Sequence, residues 1–562
     1  MNKKSIVFLL LFFAFVSFQT KAQTPGQWVW QSGNNSTNSP GVFGALGVAS
    51  PGNTPPALYE SCSWTDASGN FWLFGGGQSG GTIYNTMWKF DITSKQWAWM
   101  AGQNTPFGQA TYGTQGVPAP GNVPGSRGYG MLSWTDLNGN FWLYGGYGYD
   151  ATGITGYLGD LWKFNPTTLQ WTWMSGSMYG SMSGNYGTLG VPSPTNAPAS
   201  TGEAHLCWTD ASNNLWFFGG YASGVGGMIS DNLWKYNIAT GIWTWVQGSG
   251  SGSTSANYGA LGVESTAYTP GSRTGYTSFI DPVGHLWLFG ATIALSTYTN
   301  DVWRYNTTTG GWAYYGGTTS VNDPGQYNLR CDTVTTNIPA AAMEIRASWA
   351  DSCGFWFYGG YIDPYSFDNL WYYNCDDKKF TWVSGTNVPN ASGSYGTKGV
   401  SAATNIPPAR NGAVTWKDHN GNLWMFGGEQ DFGLSICFND LWMYRPDTNC
   451  VHLCTTSTKN PEPNPPPVIC EKLLIPNVFS PNGDRENDLF NVTALCFKSY
   501  EIKIFDRWGV NVFESTDPTT PWNGNKNLVG KACSEGTYYY LITTVNSKNV
   551  ENINRGFLTL LR

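Results

Sequence analysis

Few residues in this chain are spaced to do chemistry. Its four histidines are His205, His285, His419 and His452. A metal centre needs its ligands brought to one point, and these four are scattered, two in strand-like runs and two at turns. Acidic turns of the form Asp66 to Asn70, Asp136 to Asn140 and Asp418 to Asn422 look slightly like calcium loops. A calcium loop needs more oxygen ligands and a distal Glu, so they read as hairpin turns. A denser oxygen set, Asn482, Asp484, Asn487 and Asp488, is of calcium type; otherwise no cofactor is expected. No acid, base or nucleophile set clusters, so the chain is read as no enzyme. The residues best suited to binding are Tyr147, Tyr149, Asp150, Tyr221, Tyr298, Tyr361, Asp363, Tyr365, Glu429 and Asp431.

Composition limits the settings in which those residues can act. Charged residues make up only 12%, while Gly (71), Trp (29) and Tyr (31) are abundant, which suits a large all-β chain with many turns. Asn2-Lys3-Lys4, the apolar stretch Ser5 to Phe18, and Ala22 read as a signal peptide cleaved after Ala22. From Gln23 to Cys470 the net charge is −10, which argues against nucleic acid as a partner. Eleven cysteines in an exported chain permit disulfides, and the odd number leaves one over.

The elements that position the candidates form a repeat. Gly75, Gly145, Gly219, Gly290, Gly359 and Gly427 each end an aromatic run such as Phe71-Trp72-Leu73-Phe74. Before each run comes a tight turn; after it come a run such as Leu161-Trp162-Lys163-Phe164 and another such as Trp171-Thr172-Trp173. These are four short strands per unit, the second apolar on both faces and so buried on both. The sixth unit has no Trp in its fourth slot, Val451-His452-Leu453, and a spare copy, Trp28-Val29-Trp30, sits near the start.

The unit resembles the kelch repeat through its Gly pair, its fourth-strand Trp and an Arg opening the first strand (Arg127, Arg273, Arg346, Arg410), with Glu60 and Glu203 standing near that position in two units. The resemblance implies a six-bladed β-propeller over residues 23–454, closed by Trp28 to Trp30 as the outer strand of the last blade. The units exceed the usual kelch length of about 50 residues. The excess lies in inter-blade loops carrying Tyr112-Gly-Thr-Gln-Gly-Val117 and its copies, which are expected to pack on the propeller; the fifth blade, with Tyr327-Asn-Leu-Arg-Cys331, lacks the motif. Up-and-down strands place these loops and the second-to-third loops on one face, which carries the tyrosines and carboxylates named above. Binding residues concentrate on such loops.

Residues 455–470 read as a stiff Pro-rich spacer. From Glu471 the style changes to Ile475-Pro-Asn-Val-Phe-Ser-Pro-Asn-Gly-Asp484, Ile502-Lys-Ile-Phe-Asp-Arg-Trp-Gly509 and Gly536-Thr-Tyr-Tyr-Tyr-Leu-Ile542. This looks like the type B sorting domain of the type IX secretion system, the gliding-motility-associated C-terminal domain, and reads as a small β-sandwich over 471–562. The resemblance implies outer-membrane secretion machinery as a partner and a secreted, cell-surface or extracellular location. Arg485 stands where that family usually carries Gly, which counts against calcium. Cys470–Cys496 and Cys450–Cys454 are the expected disulfides. The resulting expectation is an all-β, non-catalytic propeller binding an extracellular glycan or protein. Its alternatives are a carbohydrate-active enzyme, marked by a carboxylate pair at the channel mouth, and a structural adhesion protein.

Overall fold

The computed structural model describes residues 24–204, 206–223, 228–332, 336–351, 353–430, 436–451, 472–482, 488–495, 497–518, 520–545 and 550–562. The expected signal peptide and Pro-rich spacer, with His205, Asp431, His452, Cys454, Cys470, Asp484, Asn487 and Cys496, lie outside those residues. The chain divides into two compact units, Met1–Thr455 and Thr456–Arg562. Both are built of β-strands, with a short 3-10 turn at Ser79–Gly81.

Six antiparallel sheets of four or five strands make up the body of the first unit, with smaller two- and three-stranded sheets in its loops. Sheet 1 runs Cys62–Thr65, Phe71–Phe74, Met87–Asp91, Gln96–Ala101, and sheet 2 runs Leu132–Thr135, Phe141–Tyr144, Leu161–Asn165, Gln170–Ser175. Sheet 3 runs Leu206–Thr209, Asn214–Phe218, Leu233–Asn237, Ile242–Gln247. Sheet 4 runs Thr277–Ile280, Leu286–Ala294, Thr297–Asn306, Gly311–Gly316, with Glu264–Ser265 added outside. Sheet 5 runs Ala347–Ala350, Gly354–Tyr358, Leu370–Asn374, Lys379–Ser384. Sheet 6 takes Val414–Lys417, Leu423–Phe426 and Leu441–Tyr444, and its fourth strand is Trp28–Ser32, paired Trp28 to Tyr444 and Trp30 to Trp442. The first strand of each sheet lies beside that of the next, and that of sheet 6 lies beside that of sheet 1.

The local sequence explains each element. In sheet 1 the turn aspartate Asp66 accepts from the backbone N–H of Ser68 and Asn70 through one oxygen and from the Trp72 indole at 2.9 Å through the other. The same indole bond recurs at Asp136, Asp210, Asp281, Asp351 and Asp418, so these carboxylates are spent on the hairpin. His285 takes the Asn position of its turn and lies 3.0 Å from Asp281. The second Gly of the pair adopts positive φ at Gly76, Gly146, Gly220, Gly360 and Gly428, which breaks the strand there. Where Ala291 replaces it, the ladder runs on through Ala291–Thr299 and Thr292–Tyr298.

Packing between sheets is aromatic. Trp64 stacks on Phe141 of sheet 2 and Phe71 on Trp416 of sheet 6, with centroids 5.3 and 5.2 Å apart. First-strand indoles also donate across: Trp64 to the Trp134 carbonyl at 3.0 Å, Trp416 to that of Trp64 at 3.0 Å. Trp72, Trp88, Trp142, Trp162 and Trp424 are fully buried. Burying one indole contributes a few kcal/mol, which makes these rings the main source of cohesion.

Each loop leading into a sheet covers that sheet's outer strand. Gly47 donates to the Trp99 carbonyl, Gly116 to Trp173, Gly190 to Trp245, Gly262 to Tyr314 and Gly399 to Trp30. Two expectations are corrected in this region. The fifth loop does carry the motif's anchor, since Tyr327 packs on Trp371 and Trp382 as Tyr112 does on Trp162 and Trp173; aromatic packing, not the Gly-x-x-Gly frame, is what these loops share. Cys450 bonds Cys331, not Cys454, because the fifth loop brings Cys331 to it from 119 residues away.

The second unit holds a five-stranded sheet, ordered Val478–Phe479, Glu551–Leu560, Gly536–Val545, Ser499–Phe505, Asn511–Ser515, and a two-stranded ladder of Lys472–Leu474 with Thr493–Leu495. Its core gathers Phe479, Phe490, Ile504, Phe513, Trp522, Ile542 and Leu558.

Candidate functional site

The segments leading into the six sheets alternate in character. Arg127, Arg273 and Arg410 open alternate sheets, and each guanidinium is fully buried against Asp160, Asp301 or Asp440 at 2.6–3.0 Å. A loop tyrosine completes each pair, with Tyr112, Tyr258 and Tyr395 each donating to the same aspartate at 2.7 Å. The other three sheets carry Leu58 with Thr86, Thr201 with Asn232, and Ala342 with Asn369 at these places. Arg346, expected to belong with the other three arginines, is displaced four residues along the chain from Ala342 and has a different role.

Two residues past each of those positions the backbone turns through positive φ, at Glu60, Tyr129, Glu203, Gly275, Glu344 and Gly412. Glycine is the unstrained choice there, and a side chain costs about 1 kcal/mol. Three alternate positions nevertheless hold glutamate. Backbone hydrogen bonds join five of these turns in series: Glu60 N–H donates to the Gly412 carbonyl at 2.7 Å, Gly412 to Glu344 at 3.2 Å, Glu344 to Gly275 at 2.8 Å and Gly275 to Glu203 at 3.2 Å. Arg346 reaches across this mouth, 3.2 Å from the Glu60 carboxylate and 3.2 Å from the Met131 carbonyl. Below it a cavity of about 180 Å³ is lined by Ser63, Ser133, Cys207, Ser278, Ser348 and Thr415, one residue from each first strand.

One cation among several carboxyls cannot keep all of them ionised. Burial, then the charges of Glu60 and Glu203, push Glu344 well above the usual carboxylate range, and it hydrogen-bonds Glu60. Burial and Glu60 push Glu203 up to about 7, with Arg346 pulling the other way. Glu429, buried beside them, is pushed up to about 8 by burial and Glu60. Among the described residues no three His, Cys, Asp or Glu converge to hold a metal.

Beside this mouth the second-to-third loops form small hairpins. Tyr147–Tyr149 pairs with Thr155–Tyr157, and Tyr221–Ala222 with Met228–Ile229. They support a row of rings: Tyr59 to Tyr129, 5.4 Å between centroids; Tyr129 to Tyr147, 6.1 Å; Tyr147 to Tyr157, 5.5 Å; Tyr157 to Tyr221, 5.2 Å. The row lines a cavity of about 480 Å³ walled by Tyr129, Tyr147, Tyr149, Tyr157, Ile83 and Thr155, with Glu203 at its side. Aromatic walls with a few convergent polar groups are the general form of a small-molecule site.

The structure separates the expected site residues. Tyr147, Tyr149 and Tyr221 are half-buried in the tyrosine row and its cavities. Asp363 and Tyr365 are exposed on another hairpin, where Asp363 accepts from the Tyr361 hydroxyl. Asp150, Tyr298, Tyr361 and Glu429 are buried. Asp150 caps its own turn by accepting from Thr152 and Ile154, so burial takes it out of the exposed set. Asn482 and Asp488 are described, but the other two members of their oxygen set are not. Sequence reading missed Glu60, Glu203, Glu344 and Arg346 as a group, and missed Tyr129 and Tyr157. The available signal was Glu at the offset where Arg273-Thr-Gly275 and Arg410-Asn-Gly412 carry Gly.

Comparison with known proteins bears on the second unit. Residues 473–560 match the type IX secretion signal domain, CHU_C, which marks the chain for secretion and export to the cell surface through the type IX machinery. No curated protein matches the chain. Among solved structures it is similar to that of YjhT at 13% identity and a TM-score of 0.42, covering 69% of this chain and 95% of that one.

Proposed function

We propose that the chain is a secreted, non-catalytic six-bladed kelch-type β-propeller over residues 23–454, preceded by a signal peptide and followed by a Pro-rich spacer and a sorting β-sandwich, and that it binds an extracellular glycan on its long-loop face. The ring of first-strand contacts and the closing strand Trp28–Ser32 support the propeller reading. The cavity lined by four tyrosines and Glu203 carries the binding reading. Sugar rings present apolar faces to aromatic walls and hydroxyls to a carboxyl, and a carboxyl that is half protonated near neutrality can both donate and accept. The test is a glycan array probed with the full chain and with Tyr147→Ala and Tyr157→Ala. Specific binding that both variants reduce at least about tenfold supports the reading; binding untouched by both rejects this site.

A second reading, a carbohydrate-active enzyme, draws on one observation. Glu203 is raised to about 7 while Glu60 lies against the Arg346 cation, and two carboxyls in unlike environments are what acid and base roles require. Chromatography of the bound glycan after long incubation separates the two: recovery unchanged supports binding alone.

A further inference from the structure

A second cavity, of about 650 Å³, opens between the loops of sheets 3 and 4 and is larger than the first. Tyr221, Ile229, Ile293 and Val321 give it apolar walls, and Ser253 and Ser255 put exposed hydroxyls among its lining. Tyr221 lines this cavity and Tyr157 lines the first, and their rings lie 5.2 Å apart. The two spaces therefore share a tyrosine wall.

Thr299 also lines the second cavity. It is 3% exposed, and its hydroxyl is buried without a hydrogen-bond partner among the described residues. A buried hydroxyl left unpaired costs about 1–3 kcal/mol. The neighbouring hydroxyls of Thr254 and Ser272 are already engaged with Asp231 and each other, whereas the Thr299 hydroxyl and the Nε of Arg273, which also lines the cavity, are unmatched among the described residues. A ligand hydroxyl entering the cavity would satisfy that of Thr299.

We infer that the two cavities are successive subsites for one oligosaccharide, which crosses the Tyr157–Tyr221 pair and places a sugar hydroxyl on Thr299. The inference rests on the glycan reading and adds to it that the ligand is a chain and not a single sugar. The first cavity holds one unit between tyrosines beside Glu203. The second takes a later unit with apolar contacts and hydroxyl partners, so affinity grows with chain length until both are filled.

The test titrates the full chain with neutral gluco-, xylo- and manno-oligosaccharides of one to six units. The expected result is a rise in affinity of about tenfold or more with length in the series that binds. Two substitutions then locate the gain. Thr299→Val keeps the shape and removes the hydroxyl, and Ile293→Trp fills the cavity; each is expected to flatten the dependence on length while the shortest binder keeps its affinity. Equal affinity for short and long members in the unaltered protein overturns the two-subsite inference but leaves glycan binding standing. A length dependence that survives Ile293→Trp overturns it as well. No binding by any member of the three series, with none on the glycan array either, overturns the glycan reading itself.

Discussion

At the scale of single residues, the glutamates at the mouth hold protons that their unfolded counterparts release. The folded pKa of Glu203 is about 7 and that of Glu429 about 8, against an ordinary 4.5, with burial the largest cause of each shift. Between the unfolded and folded values the native state binds more protons than the unfolded chain, so stability falls as pH rises. The loss begins above about pH 4.5 and is complete once pH has passed the folded values. Denaturant melts of the full chain at pH 5 and pH 8 are expected to show the lower midpoint at pH 8. Glu203→Gln removes one source of that slope and is expected to recover about 1–2 kcal/mol at pH 8 and nearly nothing at pH 5. A slope unchanged in the variant would mean that Glu203 titrates normally. Arg346→Ala acts in the opposite sense: it leaves the buried Glu60 carboxylate without its cation, at a cost of about 3–5 kcal/mol, measurable in the same melts.

At the scale of elements, the alternation of leading segments offers an internal control. The Arg410–Asp440 pair is sealed from solvent, and Tyr395, Trp442 and the Gly427 carbonyl complete its hydrogen bonds. Sheet 1 meets the same packing need with Leu58 and Thr86, and its loop carries Phe43 where the others carry Tyr, set against Trp88 and Trp99. Asp440→Asn is therefore expected to cost about 3–5 kcal/mol, because Arg410 stays buried without a counter-charge. The triple change Arg410→Leu, Asp440→Thr, Tyr395→Phe transplants the sheet 1 solution and is expected to restore most of that loss, since a buried ion pair replaced by matched apolar packing is often neutral. A thermal melt in which the triple variant is no better than Asp440→Asn would show that the two solutions are not interchangeable.

These elements also explain what could be read from sequence. Asp66 to Phe74 announces a turn and a buried strand because the bonds that shape the turn are local, from Asp66 to Asn70 and Trp72. The aromatic residue that anchors each loop was legible as a repeated position, and where Tyr327 lacks the flanking glycines its role was missed although its packing is the same. Glu60, Glu203 and Glu344 lie two repeats apart, and only sheet-to-sheet register brings them together. Arg346 read as a fourth copy of a structural arginine because spacing alone does not report a shift of four residues along the chain. The burial of Tyr298 and Tyr361, both 5% exposed, likewise depends on how neighbouring loops close over them.

At the scale of the whole molecule, the first unit depends on a non-local closure and the second on an address. Trp28–Ser32 is far in sequence from Leu441–Tyr444, yet Trp28 packs within 5.5 Å of Tyr358 and 5.0 Å of Tyr444. Lys398 lies 4.3 Å from the Trp30 ring and donates to the Gly33 carbonyl. Deleting Trp28–Ser32 bares the edge of Leu441–Tyr444, strips the wall from the core shared by sheets 5 and 6, and leaves the indole pocket open. An open edge of this kind invites pairing with other chains. Calorimetry on purified protein should therefore show the single main transition of the first unit broadened and lowered, with concentration-dependent aggregation. The second unit has a core cluster of its own, around Phe479, Trp522 and Ile542, so its own transition is expected to stay in place. Deleting residues 473–560 has the complementary effect: the first unit melts as before, while export to the cell surface, followed by protease accessibility on intact cells, is lost and the chain accumulates inside the envelope. Surface display at the normal level without 473–560 would mean that a second export signal lies elsewhere in the chain.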